Sequence, residues 1–272
     1  MMSSTPSNML VYGAILPHAV SLHSLISGQF QGLPPTIQQA FDQIASDMHG
    51  RGVRTIVSIG THPHYRRAGF SAYVSPQYRL SFKDLGDLIH EDQIAIAWDA
   101  FHALREASLA TAPVLHPIDD ADLDLSHALP LWLIHNRLPA EEKRTFLCIN
   151  DSNTATPQER AAMAEEIAKM LNSLSTPAAL IVSQELFIAD APLQGALDAM
   201  KASNVAARYQ ASGYWTKEQA SMQTIVPCLS GPLALAHASF RMPKPWAYEE
   251  CCFEHVGQTS LLAARLLPPP EL

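Results

Sequence analysis

The 272-residue chain is short of several things, and each shortage closes a class of function. It holds four cysteines, none spaced as a Cys-x-x-Cys pair, so neither a disulfide framework nor a structural zinc site is expected. Basic side chains are outnumbered, 18 Lys and Arg against 26 Asp and Glu, giving a net charge of −8 and a pI near 5.8. A field of that sign repels phosphate backbones, so nucleic acid is not an expected partner. No apolar run reaches the ~18 residues that a membrane span needs, and no membrane partner is expected. The first nine residues are small and polar without a basic start, which reads as a loose tail and not as a secretion leader. A reducing cytoplasm is the expected location. Gly-x-Ser-x-Gly, P-loop and Gly-x-Gly-x-x-Gly motifs are all missing, which removes the common hydrolase and nucleotide readings.

What is present begins with the apolar run Leu10-Val-Tyr-Gly-Ala-Ile-Leu-Pro-His18. Strand-forming residues end at a proline, which has no N–H for a sheet ladder, so Pro17 marks the strand end. His18 then falls in the loop at the carboxyl edge of a sheet, where open α/β sheets bind ligands. A second strand, Thr55-Ile-Val-Ser-Ile59, ends the same way in Gly60-Thr-His-Pro-His64. A lone histidine there would more often cap a loop or bond a carbonyl. Two strands each delivering an imidazole to one edge is how a mononuclear metal site acquires two ligands.

Between these strands, Ile37, Phe41, Ile44, Ala45 and Met48 lie on one face of a helix starting at Thr36 and stopped by Gly50 and Gly52. Strand, helix, strand is a βαβ unit, so the two strands are expected to be parallel with a right-handed crossover. Residues 65–91 show no clear period. Ile94, Trp98, Phe101, Leu104 and Ser108 suggest the next helix, and Val114-Leu115 a short strand. The acidic run 119–124 reads as a solvated turn, since a calcium loop needs a ligand spacing and a glycine that are missing. His127 to Ile134 is apolar and broken by Pro130, and Arg144–Ile149 is a strand. Thr156, Pro157 and Glu159 form a capping box ahead of a helix that buries Ile167, Met170, Leu171 and Leu174. Pro177 ends that helix, Ala178–Val182 is a strand, residues 191–203 look helical, and Gln258–Leu267 is a last strand. The expectation is one α/β domain over residues 10–267, with a central parallel or mixed sheet covered by helices on both faces and short tails at 1–9 and 268–272.

Three pieces in this order resemble the class III extradiol ring-cleavage dioxygenases, a superfamily that includes the protocatechuate dioxygenase β-subunit and Memo-like proteins. They are Ala14-Ile-Leu-Pro-His18, Ile56-Val-Ser-Ile-Gly-Thr-His62, and Tyr248-Glu249 followed by Phe253 and Val256-Gly257. The resemblance implies an Fe(II) ion, or another divalent metal, held by His18, His62 and Glu249, with His64 the alternative to His62. It implies a small catechol-like aromatic and O2 as substrates, and a homodimer or a pairing with a sister subunit. Two imidazoles and one carboxylate leave an open face on such an ion, where a catechol chelates and dioxygen binds.

The chain departs from the family at the acid–base position. Where the family carries a histidine, the stretch Ser183-Gln-Glu-Leu-Phe-Ile188 ends in an isoleucine, which cannot transfer a proton. Glu185, His127 and His237 remain as substitutes, with Glu185 and His127 the foremost candidates. Two functions therefore stand side by side: a working extradiol dioxygenase with relocated acid–base chemistry, or a catalytically silent homologue that acts as a non-catalytic subunit or a Memo-like binding protein. Tyr65, Arg66 and Arg67 read as an exposed charged turn before they read as a carboxylate site. Cys251 and Cys252, beside Glu254 and His255, read as small buried hydrophobes. Glu254 competes with Glu249 for the carboxylate role, because this chain carries about two extra residues after Glu249 relative to the family.

Overall fold

The computed structural model describes residues 9–18, 34–60, 69–80, 92–110, 115–151, 155–184, 186–187, 246–256 and 259–268. Its first strand, β1 (Leu10–Pro17), ends at the proline as the sequence requires. Helix α1 (Pro35–Gly50) buries Ile37, Phe41, Ile44, Ala45 and Met48, and Gly52 turns the chain out of it at φ +67°. Strand β2 is Thr55–Gly60. Three short strands follow, β3 (Phe70–Tyr73), β4 (Gln77–Leu80) and β5 (Asp92–Ile96). They fall partly in the stretch that shows no period, because four residues are too few to declare one. Ile94 therefore belongs to β5, not to the helix expected there, and α2 begins later, at Trp98–Ala110.

Strand β6 (Leu115–Ile118), helix α3 (Leu125–His135), strand β7 (Thr145–Asn150) and helix α4 (Pro157–Ser173) come next. Strands β8 (Ala178–Gln184), β9 (Leu186–Phe187), β10 (Ala247–Val256) and β11 (Thr259–Leu267) complete the described elements. The helix expected at 191–203 lies outside the described residues. The capping box forms as expected, with Thr156 accepting from the Glu159 amide and the Glu159 carboxylate accepting from the Thr156 amide at 2.7 Å.

Among the described residues, eleven strands make one mixed sheet whose main path runs β10-β11-β1-β8-β2-β7-β3-β6. β1 and β2 run in the same direction but are not neighbours, since β8 lies between them and pairs in parallel with both. Helices cover the two faces. On one, α2 and α4 close a core that includes Phe101, Leu104, Ile167 and Met170 with Val57 and Leu147. On the other, α1 and α3 close a second core that includes Phe41, Met48, Leu129 and Leu133 with Tyr12 and Ile56. The strands alternate between these cores, so the even-numbered residues of β1 from Tyr12 on, those of β2 and β7, and the odd-numbered residues of β8 from Ala179 on face α1 and α3. By that count Ser58, Gly60, Asn150 and Ser183 all point to the α3 face, near the carboxyl ends of their strands.

Helix α3 does not break at Pro130, contrary to the sequence expectation. A proline inside a helix removes the N–H that would bond the carbonyl four residues back, and its ring presses on that carbonyl. Here the carbonyl is that of Ser126, and the Ser183 hydroxyl donates to it from the sheet below. The group stranded by the proline is thus satisfied from outside the helix, and the helix runs on. Gly60 makes this approach possible. A Cβ at Gly60 would lie 2.5 Å from Ser126 Oγ and 3.0 Å from His127 Cε1. Gly60→Ala should therefore lift the first turn of α3 and destabilise the fold by ~1–3 kcal/mol, the usual cost of overpacking. Chemical denaturation of the two proteins checks this, and an unchanged midpoint would mean that the helix does not rest on Gly60.

Candidate functional site

The site forms where the carboxyl ends of β1, β8, β2 and β7 meet the first turn of α3. Asp124 caps that helix, accepting from the Ser126 amide at 2.9 Å, and the Tyr73 hydroxyl donates to its other oxygen at 3.0 Å. The acidic run thus ends in a helix cap, and Asp122 pairs with Arg79 at 2.7 Å. With the cap fixed, the Ser126 carbonyl and the His127 ring are held over the sheet.

His18 is buried at the end of β1, and its Nδ1 lies 2.8 Å from Ser183 Oγ. A proton count settles which atom donates. The serine has one proton and gives it to the Ser126 carbonyl, so toward His18 its oxygen accepts. His18 therefore carries a proton on Nδ1, and in the neutral ring the lone pair is on Nε2. A metal-binding imidazole needs that pattern, with one nitrogen tied to the protein as a donor and the other presenting its electrons.

His127 is fully buried and uses both ring nitrogens. Nδ1 sits 2.8 Å from Ser58 Oγ and Nε2 sits 2.9 Å from Asn150 Oδ1. The Tyr73 ring meets it edge-on, with centroids 5.9 Å apart. Burial pushes its pKa below the ordinary imidazole value, against the opposing pull of Asp124. His127 is thus a neutral ring with each nitrogen in a hydrogen bond.

Glu249 is exposed on β10 and is held by Arg265 in a two-point ion pair, with Nε at 3.0 Å and Nη2 at 2.6 Å. The same guanidinium reaches Asp47 of α1 at 2.7 Å. Glu249 pairs in register with Arg265, and Arg265 with Ala14. That places Glu249 level with a residue four positions before His18, or ~13 Å short of it along the strands. Glu254 pairs with Leu261, and the β1–β11 register continued three steps past Ile15–Ala264 brings Leu261 level with His18. Glu254 is half-buried and accepts from the Thr36 hydroxyl at the start of α1. Of the two carboxylates, Glu254 lies at the level of the carboxyl edge. Cys252 is buried and Cys251 partly so, and burial raises both thiols to about 11, which keeps them protonated.

His62, His64, Glu185, His237 and Ile188 lie outside the described residues, as do Tyr65, Arg66 and Arg67. Among the described residues no group of three or more His, Cys, Asp and Glu side chains gathers as a metal site. A cleft of about 720 Å³ opens at the opposite, amino end of the sheet, lined by Arg54, Thr55, Trp98, Lys143, Thr145 and Thr176. It shares no residue with the site around His18. Sequence reasoning passed over Ser183, Ser126, Ser58 and Asn150. The spacing Ser126-x-x-x-Pro130 is the one signal that could have flagged them, because it announces a helix carbonyl in need of a donor.

No protein-family model matches the chain, and no curated protein does. It is similar in structure to the crystal structure of uncharacterized protein JW3007 from Escherichia coli K12, with a TM-score of 0.61 over 94% of this chain and 99% of that one. The two share 11% sequence identity, so the likeness is one of fold. Among the described residues no helix is long and apolar enough to cross a membrane.

The buried neutral His127 has a consequence for pH. Above the ordinary imidazole pKa of 6.5 neither state binds a proton there, and the folded state keeps its full advantage. As pH falls below that value, the unfolded chain takes up a proton that buried His127 resists, so stability is lost down to the depressed native pKa. Denaturant midpoints at pH 7.5 and 5.5 should therefore fall further in the wild type than in His127→Gln. Equal losses in both would show that His127 does not titrate in this way.

Proposed function

We propose that this chain binds a small catechol-like aromatic, together with a divalent ion of the Fe(II) type, at the carboxyl edge around His18, and that it is a catalytically silent relative of the extradiol dioxygenases. The observation that carries the binding is the buried hydrogen bond of His18 with Ser183, in which the ring donates from Nδ1 because the serine proton goes to the Ser126 carbonyl. The donors fit such an ion in part. His18 suits it, and His62 or His64 would supply the second imidazole. Glu249 does not suit it while Arg265 holds both its oxygens, and Glu254 is the carboxylate at the right level. A divalent ion bound there supplies a Lewis acid for the ring oxygens.

Silence is supported by the state of His127, whose two nitrogens are both committed, and by Ile188 at the family's acid–base position. A general acid or base contributes ~10²–10⁴-fold, so a site without one binds its aromatic but turns it over poorly. The working-dioxygenase reading keeps one supporting observation, the ligand-ready tautomer of His18, and it would need Glu185 or another residue outside the described set as its proton carrier.

Anaerobic reconstitution with Fe(II) tests the reading. Wild type should hold one ion per chain, His18→Ala none, Glu254→Gln less, and Glu249→Gln as much as wild type. A catechol panel should give no yellow ring-opened product. Formation of that product would establish the dioxygenase, loss of metal in Glu249→Gln would restore the carboxylate implied by resemblance, and a wild type that holds no ion would end the metal reading.

A further inference from the structure

Ser58, His127 and Asn150 form a buried line beside His18, and the direction of their hydrogen bonds can be worked out. Asn150 Oδ1 has no proton, so His127 Nε2 carries one and donates to it at 2.9 Å. The neutral ring then accepts at Nδ1, which takes the Ser58 hydroxyl proton at 2.8 Å. Every N–H and O–H of the three side chains is used, with one exception. The Asn150 Nδ2 amino group is buried and has no hydrogen-bond partner among the described residues. Turning the amide over makes matters worse. Nδ2 would then serve His127, but the Ser58 proton and Asn150 Oδ1 would both lose their partners. The amide orientation is therefore fixed by the line behind it, and it presents a donor.

Asn150 is the last residue of β7, paired with Gly60 and level with Ser183 at the carboxyl edge. Buried amides without a partner are rare in folded proteins and call for an explanation, such as strain, a functional role, or a water or ion held there. We propose that Asn150 Nδ2 is a ligand-binding donor of the carboxyl-edge site, and that His127 is the residue that positions it. The group it suits is an acceptor oxygen, whether phenolate, carboxylate or carbonyl. This rests on the reading above, under which that oxygen belongs to the catechol-like aromatic. His127 then has a role without proton transfer, since it holds the amide so that its N–H groups face the ligand.

Asn150→Asp separates this role from a structural one. The aspartate keeps an acceptor for His127 Nε2, so the line behind it survives, but it replaces the donor with an acceptor. The probe is 4-nitrocatechol, followed by its visible absorbance on Zn(II)-loaded protein. Wild type should bind it, and Asn150→Asp should bind ~10–100-fold more weakly, the range for a hydrogen bond to a charged group, while keeping its zinc. Equal binding by the variant overturns the assignment and leaves the site reading intact. No binding by wild type overturns both. Should the variant unfold, the Asn150 side-chain amide resonance of the wild type decides. It should shift on saturation with 4-nitrocatechol, and an unmoved resonance overturns the proposal.

Discussion

One stranded carbonyl organises the site. Pro130 takes from helix α3 the N–H that the Ser126 carbonyl would have used, and Ser183 supplies a hydroxyl in its place. That single hydrogen bond satisfies a helix that would otherwise bury an unmet acceptor, and it pins the first turn of α3 to the end of β8. It also consumes the only proton Ser183 has, which forces His18 to donate from Nδ1. A backbone consequence of proline thus reaches the lone pair of an imidazole two hydrogen bonds away.

The same turn of helix treats two histidines in opposite ways. His18 donates from Nδ1, while His127 donates from Nε2 and accepts at Nδ1. The His18 ring is thereby tied to the sheet through one nitrogen, and the His127 ring through both. The difference comes from what each ring meets, a serine already committed to a carbonyl in one case and an asparagine oxygen in the other. Gly60 allows both, because only a residue without Cβ lets the helix come down onto β2 at that point. Across the sheet, Arg265 ties Glu249 to Asp47 and so joins β10, β11 and α1, a structural use of a carboxylate that the motif alone could not distinguish from a ligand.

The layered fold was legible in the sequence wherever the signals were local. The Leu10–Pro17 run, the buried face of α1 and the capping box at Thr156 each rest on a few adjacent residues, and each stands as expected. What the sequence hid was non-local. The insertion of β8 between β1 and β2 depends on pairing across more than a hundred residues, and the four-residue strands β3 and β4 carry no period to read. At the site, His18 was legible because a strand and a proline announce it. Ser183, Ser58 and Asn150 were not, since a serine or asparagine near a strand end looks the same whether or not a histidine lies above it. Glu249 and Glu254 were alike in the sequence for the same reason, because only strand register separates their levels along β10.

The central claim is a statement about one proton, and nuclear magnetic resonance reads it directly. Long-range ¹H–¹⁵N correlation of metal-free protein labelled at histidine, with His18 assigned by its absence in His18→Ala, reports which ring nitrogen is protonated at neutral pH. The hydrogen bonds at Ser183 require the proton of the neutral His18 ring to sit on Nδ1. A ring protonated on Nε2, or a rapid average of the two tautomers, would contradict it.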